Sequence, residues 1–120
     1  APFLPFQFDV IVLASVVQYF QNISALLSAL SNYLKPQGEI HIIDSPFYSD
    51  NGLEKAILRS QQYYTSLGFP EMAERYFHHR LSDLDAYHPK RLYHPQPLKH
   101  FANRWFGWVD SPFPWIMIKK

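Results

Sequence analysis

Aromatic and histidine side chains are the residues of this chain best suited to chemistry, and they concentrate in one stretch. Residues 47–94 hold six of the eight tyrosines and four of the six histidines. Aromatic rings suit the walls of a substrate pocket, and histidine accepts a proton near neutral pH. One interpretation is therefore a substrate pocket, with the candidate residues Tyr48, Tyr63, Tyr64, His78, His79, Tyr87 and His88. The other interpretation is that the rings form a local core and that the histidines are solvated.

Metal and nucleic-acid sites are less well supported by these side chains. The chain has no cysteine, which excludes thiolate metal sites, a cysteine nucleophile and a disulfide framework. The residues His78, His79, His88 and His94 are zinc ligands by type, but their spacing matches no closed zinc motif. Rings between Trp105 and Trp108 can stack on bases, but a net charge of +1 supplies no basic stripe. We therefore expect neither a metal nor a nucleic acid as ligand.

Length and composition favour one globular domain. The chain has 120 residues, of which 48% are hydrophobic and 18% are charged. Eleven Lys and Arg against ten Asp and Glu argue against a surface that binds anionic lipid. The longest apolar run, Val10–Ala14, is far shorter than the roughly 20 residues of a membrane helix, and no signal peptide is expected. We expect a cytoplasmic protein without a membrane partner.

A strand, a helix and a second strand are predicted for the first 46 residues. Val10–Ala14 is β-branched and continuously apolar, which is typical of a parallel strand covered on both faces. Asn22 can cap a helix whose apolar residues follow at helical spacing until Pro36 and Gly38 end it. Ile40–Ile43 forms the second strand. The three elements predict a βαβ unit.

Two helices are predicted after this unit. The first begins at Asp50 or Asn51 and ends near Gly68, because glycine commonly ends helices. The second begins at Pro70 or Glu71 and continues to about residues 77–80.

A loop, a short helix and a hairpin are predicted for the rest of the chain. The loop contains His88-Pro89 and His94-Pro95, and Pro97 suits the first turn of the short helix. The hairpin has strands near Trp105–Val109 and Trp115–Ile118, separated by a turn.

Three segments carry a resemblance to a known family. The segment Phe8–Phe20 resembles the fourth strand and following loop of class I S-adenosylmethionine-dependent methyltransferases, with Gln18 and Tyr19 in the places of that family's paired histidines. Leu34–Glu39, with the sequence LKPQGE, looks like the LKPGG motif ahead of the family's fifth strand. Ala1–Phe6 is similar to its DAxxLPF loop. The family's glycine-rich first loop and ribose-binding acidic residue have no counterpart in this sequence.

The resemblance implies an α/β fold that is the C-terminal half of a Rossmann-like methyltransferase sheet. The chain would supply strands 4-5-7-6 of the family's order, with a helical lid insertion. Residues 1–46 would be the βαβ core, residues 47–94 the lid, and residues 95–120 the last helix and terminal hairpin. One partial domain is therefore expected.

The resemblance also implies a site and partners. Ligands of open α/β sheets bind at the carboxyl ends of the strands, where the strand order reverses. The cofactor S-adenosylmethionine would contact Ala14, Ser15, Val16 and Tyr19, and a small-molecule acceptor would lie under the lid. We expect little binding or activity from this chain alone, and a partner along Val10–Ala14, either the missing N-terminal half or a second copy. The alternative is a non-catalytic α/β interaction module.

Overall fold

A four-stranded mixed sheet organises the computed structural model, which describes residues 3–93 and 113–120. The strands are β1 (Phe8–Ala14), β2 (Leu34–Ile43), β3 (Lys90–Tyr93) and β4 (Trp115–Lys119). Their order in the sheet is β1-β2-β4-β3. Strands β1 and β2 are parallel, and β4 is antiparallel to both of its neighbours, so β3 runs in the direction of β1 and β2. The chain is an α/β protein, as its sequence predicts.

The predicted βαβ unit is present, with a shorter helix and a longer second strand than expected. Helix α1 (Ile23–Ser31) begins after Asn22, whose side-chain oxygen accepts a hydrogen bond from Ala25 N at 3.0 Å. The helix ends before Pro36, because Leu34 already pairs with Phe8 in the sheet. Residues 35–38 form an irregularity in that pairing, where proline is tolerated.

One face of the sheet forms the core. Its buried residues from three strands are Leu13, Ile40, Ile42, Ile116 and Ile118. Ile23 and Leu27 of α1 join the same cluster, as does Leu84 from the 3₁₀ helix Leu81–Tyr87. Each such side chain contributes about 1.5–3 kcal/mol when fully buried. Residues 81–87 therefore belong to the helical cover of the sheet.

The other face of the sheet is more open than the sequence predicts. Val10 and Val12 of β1 are 49% and 54% exposed, so the expectation that both faces of this strand are covered is wrong. Farther along this face, Trp115 Nε1 donates to His41 Nδ1 at 2.8 Å, and Glu39 Oε2 lies 2.9 Å from His41 Nε2. The apolar run Val10–Ala14 reflects strand propensity as well as burial.

Helix α2 (Asp50–Ser66) and a 3₁₀ helix (Pro70–Arg75) follow β2. Ser49, rather than Asp50 or Asn51, caps α2 by accepting a hydrogen bond from Gly52 N at 3.2 Å. Gly68 takes a left-handed φ of 85° after the helix ends. The second predicted helix is thus a 3₁₀ helix that ends at Arg75. Within the described ranges, no helix is both long and apolar enough to cross a membrane.

Strand β3 lies where the sequence predicts a loop. Its residues, Lys90–Tyr93, include no β-branched side chain, so local propensity does not reveal the strand. Antiparallel pairing with β4 supplies the backbone hydrogen bonds. The predicted strand Trp115–Ile118 is confirmed as β4. The predicted helix after Pro97 and strand Trp105–Val109 lie outside the described residues.

Candidate functional site

Both parallel strands leave the sheet through a residue in the left-handed backbone region. Ser15 follows β1 with a φ of 56°, and Asp44 follows β2 with a φ of 53°. This conformation is uncommon for residues other than glycine and clusters at functional sites. The backbone N–H of Ser15 donates to Ile43 O at 3.0 Å. The two strand exits are therefore held side by side in a strained conformation.

A buried amide fixes the exit of β1. The Gln18 side chain is only 6% exposed, and its Nε2 donates to Ser15 O at 2.9 Å. Ser45, which is fully buried after β2, donates from Oγ to Gln18 Oε1 at 3.4 Å. Buried polar groups need such partners, because an unsatisfied one costs about 1–3 kcal/mol. Gln18 thus links the loops that follow the two strands.

Residues 76–80, the crossing segment, run across both exits. Phe77 N donates to Gln18 O at 2.7 Å in the loop after β1. Tyr48 N, in the loop after β2, donates to His79 O at 3.0 Å. His79 is buried, and its Nε2 donates to Val17 O at 2.8 Å. The crossing segment is therefore attached by hydrogen bonds to the loops after both strands.

A row of rings lies along this crossing segment. The Tyr19 and Tyr76 rings meet edge to face with centroids 6.4 Å apart. The His78 ring lies 5.0 Å from that of Tyr76 and 5.4 Å from that of Tyr48. The row therefore extends from the exit of β1 to the exit of β2. A ligand bound at either exit would lie beside aromatic surface.

A cavity opens between this row and α2. It has a volume of about 280 Å³ and is lined by Tyr48, Arg59, Ser60, Tyr63, Tyr64 and Tyr76. Arg59 forms no salt bridge within residues 3–93 and 113–120. The Ser60 hydroxyl is hydrogen-bonded to His78 Nε2 at 2.9 Å, so His78 supports the wall from behind. Four phenol rings, one cation and one hydroxyl thus surround the space.

Burial at the cavity shifts the pKa values of three groups, Tyr48, Tyr76 and His78, in the direction that favours their neutral forms. Burial raises the pKa of Tyr48, although the Arg59 guanidinium opposes this shift. Burial and the neighbouring tyrosines raise the pKa of Tyr76. Burial lowers the pKa of His78, and His79 and Arg59 lower it further. His78 is therefore an uncharged imidazole able to accept a proton, and Arg59 carries the positive charge.

The chain matches no protein-family model and no curated protein.

The cavity gathers only part of the substrate-binding set expected from the sequence. Tyr48, Tyr63 and Tyr64 line it, and His78 lies behind its wall. His79 instead holds the crossing segment to Val17. It also lines a second cavity, of about 520 Å³, at the start of α1, which includes no tyrosine.

Tyr87 and His88 lie away from the tyrosine-lined cavity beside α2. Tyr87 donates from its hydroxyl to Ser24 O at 3.0 Å, so it packs against α1. His88 faces another cavity, shared with Leu34 and Lys120 near the beginning of β2. Among the described residues, no three His, Asp or Glu side chains are close enough to hold a metal ion. The residues of the expected pocket are thus divided among separate places in the fold.

The residues expected to contact a cofactor share the exit of β1. Ala14 and Ser15 are exposed, Val16 is half-buried, and the Tyr19 ring is 62% exposed. Asp44 is exposed at the neighbouring exit of β2. Strand β1 is the edge of the described sheet, so within the described ranges these residues border the space beyond β1 from one side.

Three residues that build the site were not among those predicted from the sequence: Gln18, Ser45 and Arg59. Nothing in the sequence marks Gln18 and Ser45 as buried partners, because they are 27 residues apart. Arg59 has a recognisable signal. Residues 56, 59, 60, 63 and 64 follow helical spacing and place Arg59, Ser60, Tyr63 and Tyr64 on one face of α2.

Proposed function

We propose that this chain is the C-terminal part of an S-adenosylmethionine-dependent methyltransferase that acts on a small molecule. The observation that supports this most is the strand order, β1-β2-β4-β3, with an antiparallel β4 between strands of common direction. That arrangement corresponds to the order 4-5-7-6 implied by the resemblance. In the described part of the chain, Lys90–Tyr93 forms the strand beside β4, in the place that corresponds to strand six.

The exit of β1 fits one side of a cofactor site. Ala14 and Ser15 are accessible there, and the Tyr19 ring presents a face large enough to cover part of a ligand. The buried Gln18 holds the loop after β1 in place, so the exposed atoms of that loop are positioned before any ligand arrives. The remaining contacts must come from the open side of β1. The residues present are therefore compatible with S-adenosylmethionine but form only part of its site.

S-adenosylmethionine, when bound, supplies a methyl group on a sulfonium that a nucleophile attacks in line. The chain would contribute positioning to this chemistry. Tyr19 and Tyr76 connect the cofactor side to the cavity beside α2, so an acceptor in that cavity would lie next to the exit of β1. If the acceptor arrives protonated, the Ser60 hydroxyl oxygen can take that proton while its own proton passes to Nε2 of the neutral His78.

The deciding experiment compares this chain with a version extended by whatever its gene encodes ahead of Ala1. We expect the extension to contain a strand followed by a glycine-rich loop. The extended protein should bind S-adenosylmethionine in calorimetric titration, whereas the 120-residue chain should give no measurable heat. Losing several hydrogen bonds at about 1 kcal/mol each removes micromolar affinity. Micromolar binding by the chain alone, or an extension without that loop, would contradict the proposal.

A variant pair tests which residues contact the cofactor in the extended protein. Tyr19→Ala should weaken S-adenosylmethionine binding because it removes the exposed ring beside Ser15. Phe20→Ala is the matched control, since Phe20 is the adjacent ring and is also partly exposed, at 45%. Equal effects of the two substitutions would show that Tyr19 has no special role in the site.

A second candidate function is a non-catalytic α/β interaction module. The observation that favours it is the open edge of β1, where Val10 and Val12 are about half exposed. An extended protein that forms a stable complex through this edge yet never binds S-adenosylmethionine would favour this alternative.

A further inference from the structure

We propose that the tyrosine-lined cavity beside α2 binds a planar aromatic anion, and that Arg59 selects its negative charge. Binding requires only the cavity. That the bound anion is also the methyl acceptor rests on the proposed function.

The walls of the cavity favour a flat ring. Tyr48 and Tyr76 approach from the side of the crossing segment, and Tyr63 and Tyr64 approach from α2. The Tyr63 and Tyr64 rings meet edge to face with centroids 5.3 Å apart, so they offer surfaces at different angles. Aromatic rings pack well in offset or edge-to-face contacts with such surfaces. A volume of about 280 Å³ suits a ligand of one or two rings.

The charge of the cavity favours an anion. Arg59 lines the space without a salt-bridge partner in the described part of the chain. The positive charge of Arg59 also lowers the pKa of both Tyr48 and His78, the latter behind the wall. Tyrosine cages also bind quaternary ammonium groups through their ring faces. Here such a cation would face the Arg59 guanidinium, whereas a carboxylate would form a charge-assisted hydrogen bond with it.

Ser60 supplies a second polar contact. Its hydroxyl lines the cavity and is held by His78 Nε2 at 2.9 Å, so the pair can donate to or accept from a ligand hydroxyl. A ring that carries both an acidic group and a hydroxyl would satisfy Arg59 and Ser60 together. Hydroxylated aromatic acids are therefore the class of ligand that matches this cavity.

The test is a titration of the full 120-residue chain with three probes of similar shape, in which binding is monitored by NMR. The probes are 4-hydroxybenzoate, its neutral amide, and the 4-hydroxybenzyltrimethylammonium cation, which carries the same ring hydroxyl. We expect the acid to bind most tightly. Arg59→Gln should weaken binding of the acid by at least about tenfold and leave the amide unchanged, because it removes the charge-assisted bond. Lys55→Gln, an equal change of charge at an exposed site on the same helix, should have no effect.

Each outcome decides the question. Tighter binding of the cation, equal binding of acid and amide, or an equal loss in the Lys55 and Arg59 variants would overturn the proposal. So would the absence of binding by the acid at millimolar concentration in a chain whose NMR spectrum shows it folded. The titration contains no S-adenosylmethionine, so a failure of methyl transfer leaves its result unchanged. Conversely, methyl transfer to an acceptor that carries no negative charge would leave the proposed function and the titration result intact, and would refute only the identification of the bound anion as the methyl acceptor.

Discussion

Replacing Gln18 with glutamate changes one atom at the point where the loops after β1 and β2 are joined. The Gln18 amide nitrogen donates to Ser15 O at 2.9 Å, and its side chain is 6% exposed. A glutamate oxygen in the same place would face the Ser15 oxygen, acceptor against acceptor. The lost bond contributes about 1 kcal/mol, and the unsatisfied buried groups cost about 1–3 kcal/mol more. We therefore expect Gln18→Glu to lower the free energy of unfolding by about 2–4 kcal/mol at pH 7.

The assay is urea unfolding at pH 7 and at pH 5, monitored by circular dichroism. Lower pH should restore part of the lost stability, because a protonated glutamate can donate to Ser15 O as the amide does. Gln21→Glu is the matched control, since Gln21 is an exposed glutamine close by in the chain. Equal stabilities of the two variants at pH 7 would show that Gln18 does not anchor the exit of β1. If Gln18→Glu lost the same stability relative to wild type at both pH values, the assignment of Gln18 Nε2 as the donor to Ser15 O would be refuted.

Three further predictions concern other parts of the fold. Val12→Lys should reduce self-association in light scattering, because it places a charge on the exposed face of the open edge strand; a wild-type chain that is monomeric at high concentration would contradict this. The pKa of His78 is lowered in the folded state, so the free energy of unfolding should fall as the pH drops through about 6.5, the pKa of histidine in the unfolded chain. His78→Gln should make the free energy of unfolding, measured in urea, less dependent on pH over this range. Backbone amides of α2 should exchange hydrogen faster than those of β2; equal protection would mean that α2 is as firmly packed as the sheet.

The sequence predicted the elements whose signals are local. Asn22 marks the start of α1, and the apolar runs around Val12 and Ile42 mark two strands. Capping and hydrophobic patterning act within a few residues, so they can be read from one segment. The end of α1 was misplaced because pairing of Leu34 with Phe8 takes residues that would otherwise extend the helix.

Elements that depend on distant partners could not be predicted in this way. Strand β3 exists because β4 pairs with it, although more than 20 residues separate Tyr93 from Trp115 along the chain. The site shows the same limit. Burial of Gln18 depends on Ser45 and on the backbone of Phe77, neither of which is near it in sequence. Tyr63 and His88 were grouped from the sequence but line different cavities, because nearness along the chain does not determine where in the fold a side chain lies.

The cavity beside α2 has two walls of different character. The wall formed by Tyr48 and Tyr76 belongs to segments that are hydrogen-bonded to the loops after both parallel strands. The wall formed by α2 buries only Leu53 and Ala56 of its 17 residues, and it is also joined to the crossing segment by the Ser60–His78 hydrogen bond and the exposed Asp50–Arg80 salt bridge. Few buried contacts allow an element to open at low cost. We therefore expect α2 to yield before the strand exits at Ser15 and Asp44 do when a ligand enters the cavity.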